Sequence, residues 1–382
     1  MLLDPRLLVL LAAGSLTTMA GGVVAPVLPE MVQQLHLNPA FAGNLVSMHC
    51  LTIALFSPPL GILADRIGRL RVLIPSLILY ALFGTAGALM HELVPLLVVR
   101  GLLGAASGGI AAASLGLLGS LYEGEARSQA LGYATSTLTI TGIAFPLLGG
   151  WVGSTHWQFA FYLYGLGLPL ALLAGLILKD NQPLQAKAMG TDSGSKLKSI
   201  LGHPHTLRLL LTLGLASVSM YAVVIYAPLY LKATIQASAI VNGIVLASRA
   251  IGAAIISAFG AKWLAKRLGA APATAIGFGL MALTLTTIPL LHQLSWILVT
   301  AVFFGVGFGL VLPTLYSTLA NLAPSDFRSS VLAAGTGAGF LGQFISPILL
   351  GPVLGYSGLE GVFYAAAIVA LVAGLLLFAP KG

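Results

Sequence analysis

Gly61-Ile62-Leu63-Ala64-Asp65-Arg66-Ile67-Gly68-Arg69-Leu70-Arg71 is the stretch from which the fold is read. It is a tight charged turn set between two apolar runs. Each run is long enough to cross a bilayer, which takes about 20 apolar residues. The rest of the chain explains why charge is concentrated there. Of 382 residues, 58% are hydrophobic and 7% charged, against about 25% charged in soluble domains. So few charges cannot clothe a surface facing water, so lipid must be the solvent for most of it. Long apolar runs, rather than short alternating segments, exclude an outer-membrane barrel.

The apolar runs place spans at 7–29, 42–63, 72–90, 94–118, 129–152, 159–178, 207–231, 239–261, 271–291, 296–320, 330–354 and 361–379. The expectation is therefore an all-α integral membrane protein of about twelve transmembrane helices. The first run is too long for a signal-peptide core and reads as a span. The polar stretch 179–206, with Lys179, Lys187, Lys196 and Lys198, reads as a cytoplasmic linker between six-helix bundles at 1–178 and 207–382. With the N-terminus inside, 15 of the 18 Lys and Arg residues fall on the cytoplasmic side and only Lys232 outside. That bias puts both termini in the cytoplasm of a multi-pass protein of the bacterial inner membrane. It also accounts for the net charge of +8. No basic patch with interleaved aromatics points to nucleic acid.

The chain repeats itself at an offset of 201. Arg66 meets Arg267, Gly68 meets Gly269, and Arg127-Ser128 meets Arg328-Ser329. Gly104 and Gly108 meet Gly305 and Gly309, and Pro146 meets Pro347. An interval of six spans keeps both copies in the same orientation. They are parallel repeats about an axis along the membrane normal, a design that implies a midplane site and alternating access.

On these residues the chain resembles the major facilitator superfamily. Gly61, Asp65, Arg66, Gly68 and Arg69 match its loop signature. The resemblance implies that Asp65 is a conformational latch, working with Arg69 and with the start of span eleven near Ser329–Ala333. The family's acid at the inner end of span four is absent, with Ser120 in its place and Asn321 in the second copy. Glu123 and Glu125 are possible substitutes for it. The second loop carries Lys266 where the first has Asp65. Gly142, Pro146, Gly149 and Gly150 resemble the span-five signature of exporters, with Phe145 in place of the central glycine. This implies the twelve-span drug–proton antiporter group.

Ionisable residues within spans are functional candidates because they are costly there. Arg100, with Gly101, Gly104 and Gly108, resembles the family's span-four signature, which implies a part in proton movement; the plain reading is that it snorkels to the near headgroups. Arg249, at mid-span, reads either as cavity-lining or as a cation satisfied by carbonyls. Glu30 and His49 are coupling candidates, with interfacial and packing roles as the plain readings. Tyr221, Tyr226 and Tyr316 are candidate cavity walls suited to amphipathic solutes. The single cysteine, Cys50, excludes an internal disulfide, and no metal-ligand spacing, phosphate loop or nucleophile elbow is present. The expectation is a monomeric non-enzyme without cofactor or metal, whose partners are lipid, a small-molecule substrate and protons. Its function is expected to be efflux of small organic compounds. The alternatives are a uniporter or importer of a small anionic metabolite, and a membrane sensor or scaffold that does not transport.

Overall fold

The computed structural model describes residues 4–178, 191–324 and 327–378. Lys179, Lys187 and the rest of the linker's opening, and Lys381, lie outside them. The elements among the described residues are all helices, without a strand. The long apolar helices are α1 (Pro5–Gln34), α2 (Pro39–Ile67), α3 (Arg69–Leu89), α4 (Leu93–Leu121), α5 (Gly124–Val152) and α6 (Gln158–Ile177). They continue with α7 (Pro204–Ile235), α8 (Ala239–Phe259), α9 (Ala270–Leu290) and α10 (Leu294–Leu322). The last apolar rod, Arg328–Leu376, is 49 residues long, about 74 Å at 1.5 Å per residue and far more than one bilayer. It is interrupted at Gly358, whose φ is 68°, and so forms two spans, α11 (328–357) and α12 (359–376). The later part of the linker holds a separate helix, Thr191–Gly202.

The chain divides into two compact units. The first comprises Met1–Leu37, Asn44–Lys187 and Ser238–Gly243, and the second comprises Asn38–Gly43, Ala188–Ala237 and Ile244–Gly382. Within each unit the repeat recurs in the packing. α2 meets α4 where a Cβ on Gly104 would run into the His49 carbonyl, and α8 meets α10 where a Cβ on Gly305 would run into the Arg249 carbonyl. Ser57 Oγ donates to the Gly108 carbonyl, and Ser257 Oγ to that of Gly309. Here α2 and α8 correspond at an offset of 200, whereas the following turns, Gly68 and Gly269, correspond at 201. The second copy therefore carries one additional residue between them. It falls where the structure breaks: α8 stops at Phe259 and a short helix, Ala261–Leu268, follows Gly260. α2 instead runs unbroken to Ile67.

Candidate functional site

The charged turn is built on Gly68, whose φ of 109° caps α3. A side chain disfavours that backbone and glycine does not. Its counterpart Gly269 has φ 92°. Across the first turn, Arg69 Nε and Nη2 donate to Asp65 Oδ1 at 3.0 and 2.9 Å. Arg69 Nη1 donates to the Gly116 carbonyl of α4, and the Arg69 side chain fills the place a Cβ on Gly116 would take. One guanidinium thus joins the end of α2 to the end of α4. Asp65 is half exposed, and its Oδ2 has no hydrogen-bond partner among the described residues. An exposed pair of this kind contributes about 0–1 kcal/mol, so the turn matters little to stability. Gly61 lies against Ala112 of α4, and Arg66 is exposed.

Ser120, standing where the family's acid is expected, donates back to the Leu117 carbonyl. Arg127 lies against Gly119. In the second unit Arg328 Nε donates to the Ala320 carbonyl at 3.2 Å, at the equivalent position. In both copies a guanidinium sits at the carboxyl end of a helix, where the backbone dipoles favour a cation. Among the described residues neither Glu123 nor Glu125 forms an ion pair.

Arg100 is 1% exposed, with a hydrogen bond for each of its nitrogens. Nε donates to the Leu45 carbonyl at 2.8 Å and Nη1 to the Tyr164 hydroxyl at 2.8 Å. Nη2 donates to the Val46 carbonyl at 3.5 Å and to His49 Nδ1 at 3.2 Å. Because arginine only donates, His49 Nδ1 must accept, and the ring N–H is then on Nε2, 3.4 Å from Cys50 Sγ. The Tyr164 hydroxyl in turn donates to the Ala20 carbonyl at 2.9 Å. Tyr80 stacks edge-on against Tyr164, ring centres 5.5 Å apart, and donates to the Leu16 carbonyl. A Cβ on Gly84 would strike the Tyr164 ring, so α3 is notched to admit it. The cluster thereby joins α1, α2, α3, α4 and α6. The Arg100 side chain is inside the bundle, held by carbonyls, rather than extended toward headgroups.

Arg249 stands at the middle of α8, a helix otherwise free of charge. It is part-buried and makes no hydrogen bond among the described residues, and its Nε is fully shielded. Tyr221 of α7 interacts with it electrostatically. Tyr221 and Tyr226 are 6% and 0% exposed, and the Tyr226 hydroxyl is buried without a partner. Tyr316 is part-buried and donates to Thr336 Oγ1 at 3.5 Å. Glu30 is part-buried near the end of α1.

In α5, Gly149 lies where a Cβ would strike the Val23 backbone of α1. Phe145 is 8% exposed and rests against Gly22 of α1, as does Pro146. The bulk at 145 is thus accommodated by a glycine on the facing helix. The neighbouring face of α5 is covered by the Ser238–Gly243 segment. A Cβ on Gly150 would meet the Ala239 carbonyl, and one on Gly243 would come within 2.5 Å of the Pro146 carbonyl. Gly142 has open space around it.

One polar pair was not expected from the sequence. Asp4 caps α1, its Oδ1 accepting from the Arg6 amide, and its Oδ2 accepts from the Tyr122 hydroxyl at 2.6 Å. Tyr122 is the residue that ends α4. The Tyr122 hydrogen bond holds the Asp4 carboxyl below its usual value. Burial and the facing carboxylate push the Tyr122 phenol up to about 12. The available signal was the cap itself, an Asp before Pro at a helix start.

The family model described as Major Facilitator Superfamily matches residues 209–381. The probable 4-methylmuconolactone transporter of Cupriavidus pinatubonensis is 24% identical, over 92% of this chain and 84% of that protein. The bacillibactin exporter of Bacillus subtilis is 23% identical, over 86% of this chain and 85% of that protein. The crystal structure of a bacterial homolog of the human lysosomal transporter Spinster, inward-facing and occupied, superposes with a TM-score of 0.84 at 15% identity. That match covers 97% of this chain and 95% of the other. With the repeated bundles, a model matched over its C-terminal part and near-full-length relatives named as transporters, this multi-pass membrane protein is similar to transporters of the major facilitator superfamily.

Proposed function

We propose that this transporter exports small organic compounds by alternating access, in exchange for protons, with both termini and the charged turn on the cytoplasmic side. The observation that carries export is the α1–α5 contact. Pro146 and Gly149 bring α5 onto Gly22 and Val23 of α1, in the signature that resembles the exporters' span five. The name of the bacillibactin exporter supports the same direction. The Lys and Arg distribution supports the orientation.

Asp65 is the proposed latch. Only one of its oxygens is taken by Arg69, which leaves Oδ2 able to accept from a second partner during the cycle. Glu30 is the carboxylate proposed to exchange protons, since it is the one α1 carries.

The test is a proton gradient imposed on proteoliposomes, with efflux of a fluorescent amphipathic dye followed together with internal pH. Export coupled to protons predicts dye movement that collapses with the gradient. Asp65→Asn is expected to lower the transport rate about tenfold or more, while the melting temperature stays near wild type because the pair is exposed. An unchanged rate in Asp65→Asn would remove the latch. Dye movement without any proton flux would remove the exchange.

A further inference from the structure

The two arginines within spans differ in what holds them. Arg100 spends Nε, Nη1 and Nη2 on carbonyls, a phenol and an imidazole of its own unit. Arg249 makes no hydrogen bond among the described residues. It cannot reach water by extending along the helix. It lies ten residues from either end of α8, about 15 Å at 1.5 Å per residue, and the arginine stem is much shorter than that. Nor does the second unit supply a counter-ion at that depth. The only carboxylate that α7 to α12 carry is Glu360, in the first turn of α12. The side chain the structure gives Arg249 as an electrostatic neighbour is the phenol of Tyr221. The residues shortly before it on its own helix, Val245, Leu246 and Ala247, are apolar and buried.

We propose that the Arg249 guanidinium anchors a site for a hydrophobic organic monoanion, an aromatic or alicyclic carboxylic acid, and that this is the charge class of the transporter's cargo. A guanidinium fork matches the two oxygens of a carboxylate. A single fixed positive charge among apolar side chains neutralises one negative charge, which suits a monoanion better than a phosphate dianion. This inference rests on the transport reading above, but it makes a statement about binding that is measured separately.

The experiment uses the full chain in lipid nanodiscs and three probes, naphthoate, cinnamate and cyclohexanecarboxylate, each paired with its own carboxamide. Binding is followed by calorimetry. At least one carboxylate is expected to bind more tightly than its amide by about tenfold or more. Arg249→Gln is expected to bring that acid down to the level of its amide, while Arg249→Lys, which keeps the charge but not the fork, retains part of the preference. The lysine variant also covers the case in which the glutamine variant fails to fold. Equal binding of acids and amides overturns the proposal, as does a glutamine variant that keeps the preference. Failure of all three acids to bind at millimolar concentration overturns it too. Counterflow of the same probes and of tetraphenylphosphonium is measured in parallel. Transport of the cation without acid binding leaves a transporter and removes the anion site. Acid binding lost in Arg249→Gln, with no counterflow of any probe, keeps the site and removes the transport reading.

Discussion

The contact of α2 with α4 and that of α8 with α10 share one backbone design but differ in their charge. In each, a glycine of the later helix lets a carbonyl of the earlier one come close: Gly104 onto His49, Gly305 onto Arg249. In the first unit the cation comes from α4, as Arg100, and is saturated by Leu45, Val46, His49 and Tyr164. In the second, position 301 is alanine and the cation stands on α8 itself, at the place of His49. Tyr80, which completes the first cluster, corresponds to Met281. A duplicated frame has thus been filled in two ways. One copy has a closed polar core that ties five helices together; the other has an apolar core and a guanidinium with no hydrogen bond among the described residues. The former joins five helices, and the latter is the cation proposed above to anchor an anion.

The sharpest way to break this contrast is to remove the saturated cation. Arg100→Gln withdraws the donors to two helix carbonyls and to Tyr164, and leaves His49 Nδ1 without its donor. A loss of about 2–4 kcal/mol is expected, read as a large fall in the detergent melting temperature and in yield. Arg100→Lys should not restore it, since one ammonium cannot span partners placed for a planar fork. If Arg100→Gln proved as stable as Arg249→Gln, the distinction between the two cations would be lost.

The frame itself is tested by Gly104→Ala and Gly305→Ala. In both, the new methyl meets a backbone carbonyl that belongs to a packed helix and cannot swing aside. Overpacking of about 1–3 kcal/mol is expected for each, and of similar size, because the backbones match where the charges do not. A cost confined to one of them would mean that the repeat is not structurally equivalent at this contact.

Twelve spans and a parallel repeat were legible from the sequence because both follow from apolar run length and from landmarks at a fixed spacing. The charged turn was equally legible, down to the Asp65–Arg69 pair at four residues' separation. The fate of the two arginines was not. Two of the four acceptors that saturate Arg100 are carbonyls, which every residue has, and its phenol partner Tyr164 is far along the chain. Nothing in the residue types distinguishes a carbonyl-bound arginine from one without hydrogen bonds. The one-residue change of offset at Gly260 escaped for a related reason. Conserved spacing at the turns hides a compensated shift inside the helix, and only the Ser57 and Ser257 contacts expose it. Phe145 showed up as a departure from the exporter signature, but the glycine that accommodates it, Gly22, lies on another helix.

The smallest expected effect concerns a second inequality between the copies. α1 opens on a cap at Asp4-Pro5, and α7 opens similarly at His203-Pro204, where His203 Nδ1 accepts from the His205 amide. The residues that end α4 and α10 are Tyr122 and Ala323. Only the first copy therefore has a hydroxyl to close the clasp from the cap of its first helix to the end of its fourth. Tyr122→Phe removes one charge-assisted hydrogen bond at a partly exposed site, and about 1 kcal/mol is expected. The pH dependence follows from the two shifts. The Asp4 carboxyl is held below its ordinary value. Its contribution is therefore complete above about pH 4 and is lost as pH falls through the lowered folded value. The Tyr122 phenol is raised to about 12. Its contribution is complete below about pH 10 and is lost as pH rises through the raised value. The difference in melting temperature between wild type and Tyr122→Phe should accordingly be flat across neutral pH and shrink only at the acid and alkaline extremes. A difference that varied through neutrality would assign the effect to another titrating group and dissolve the clasp.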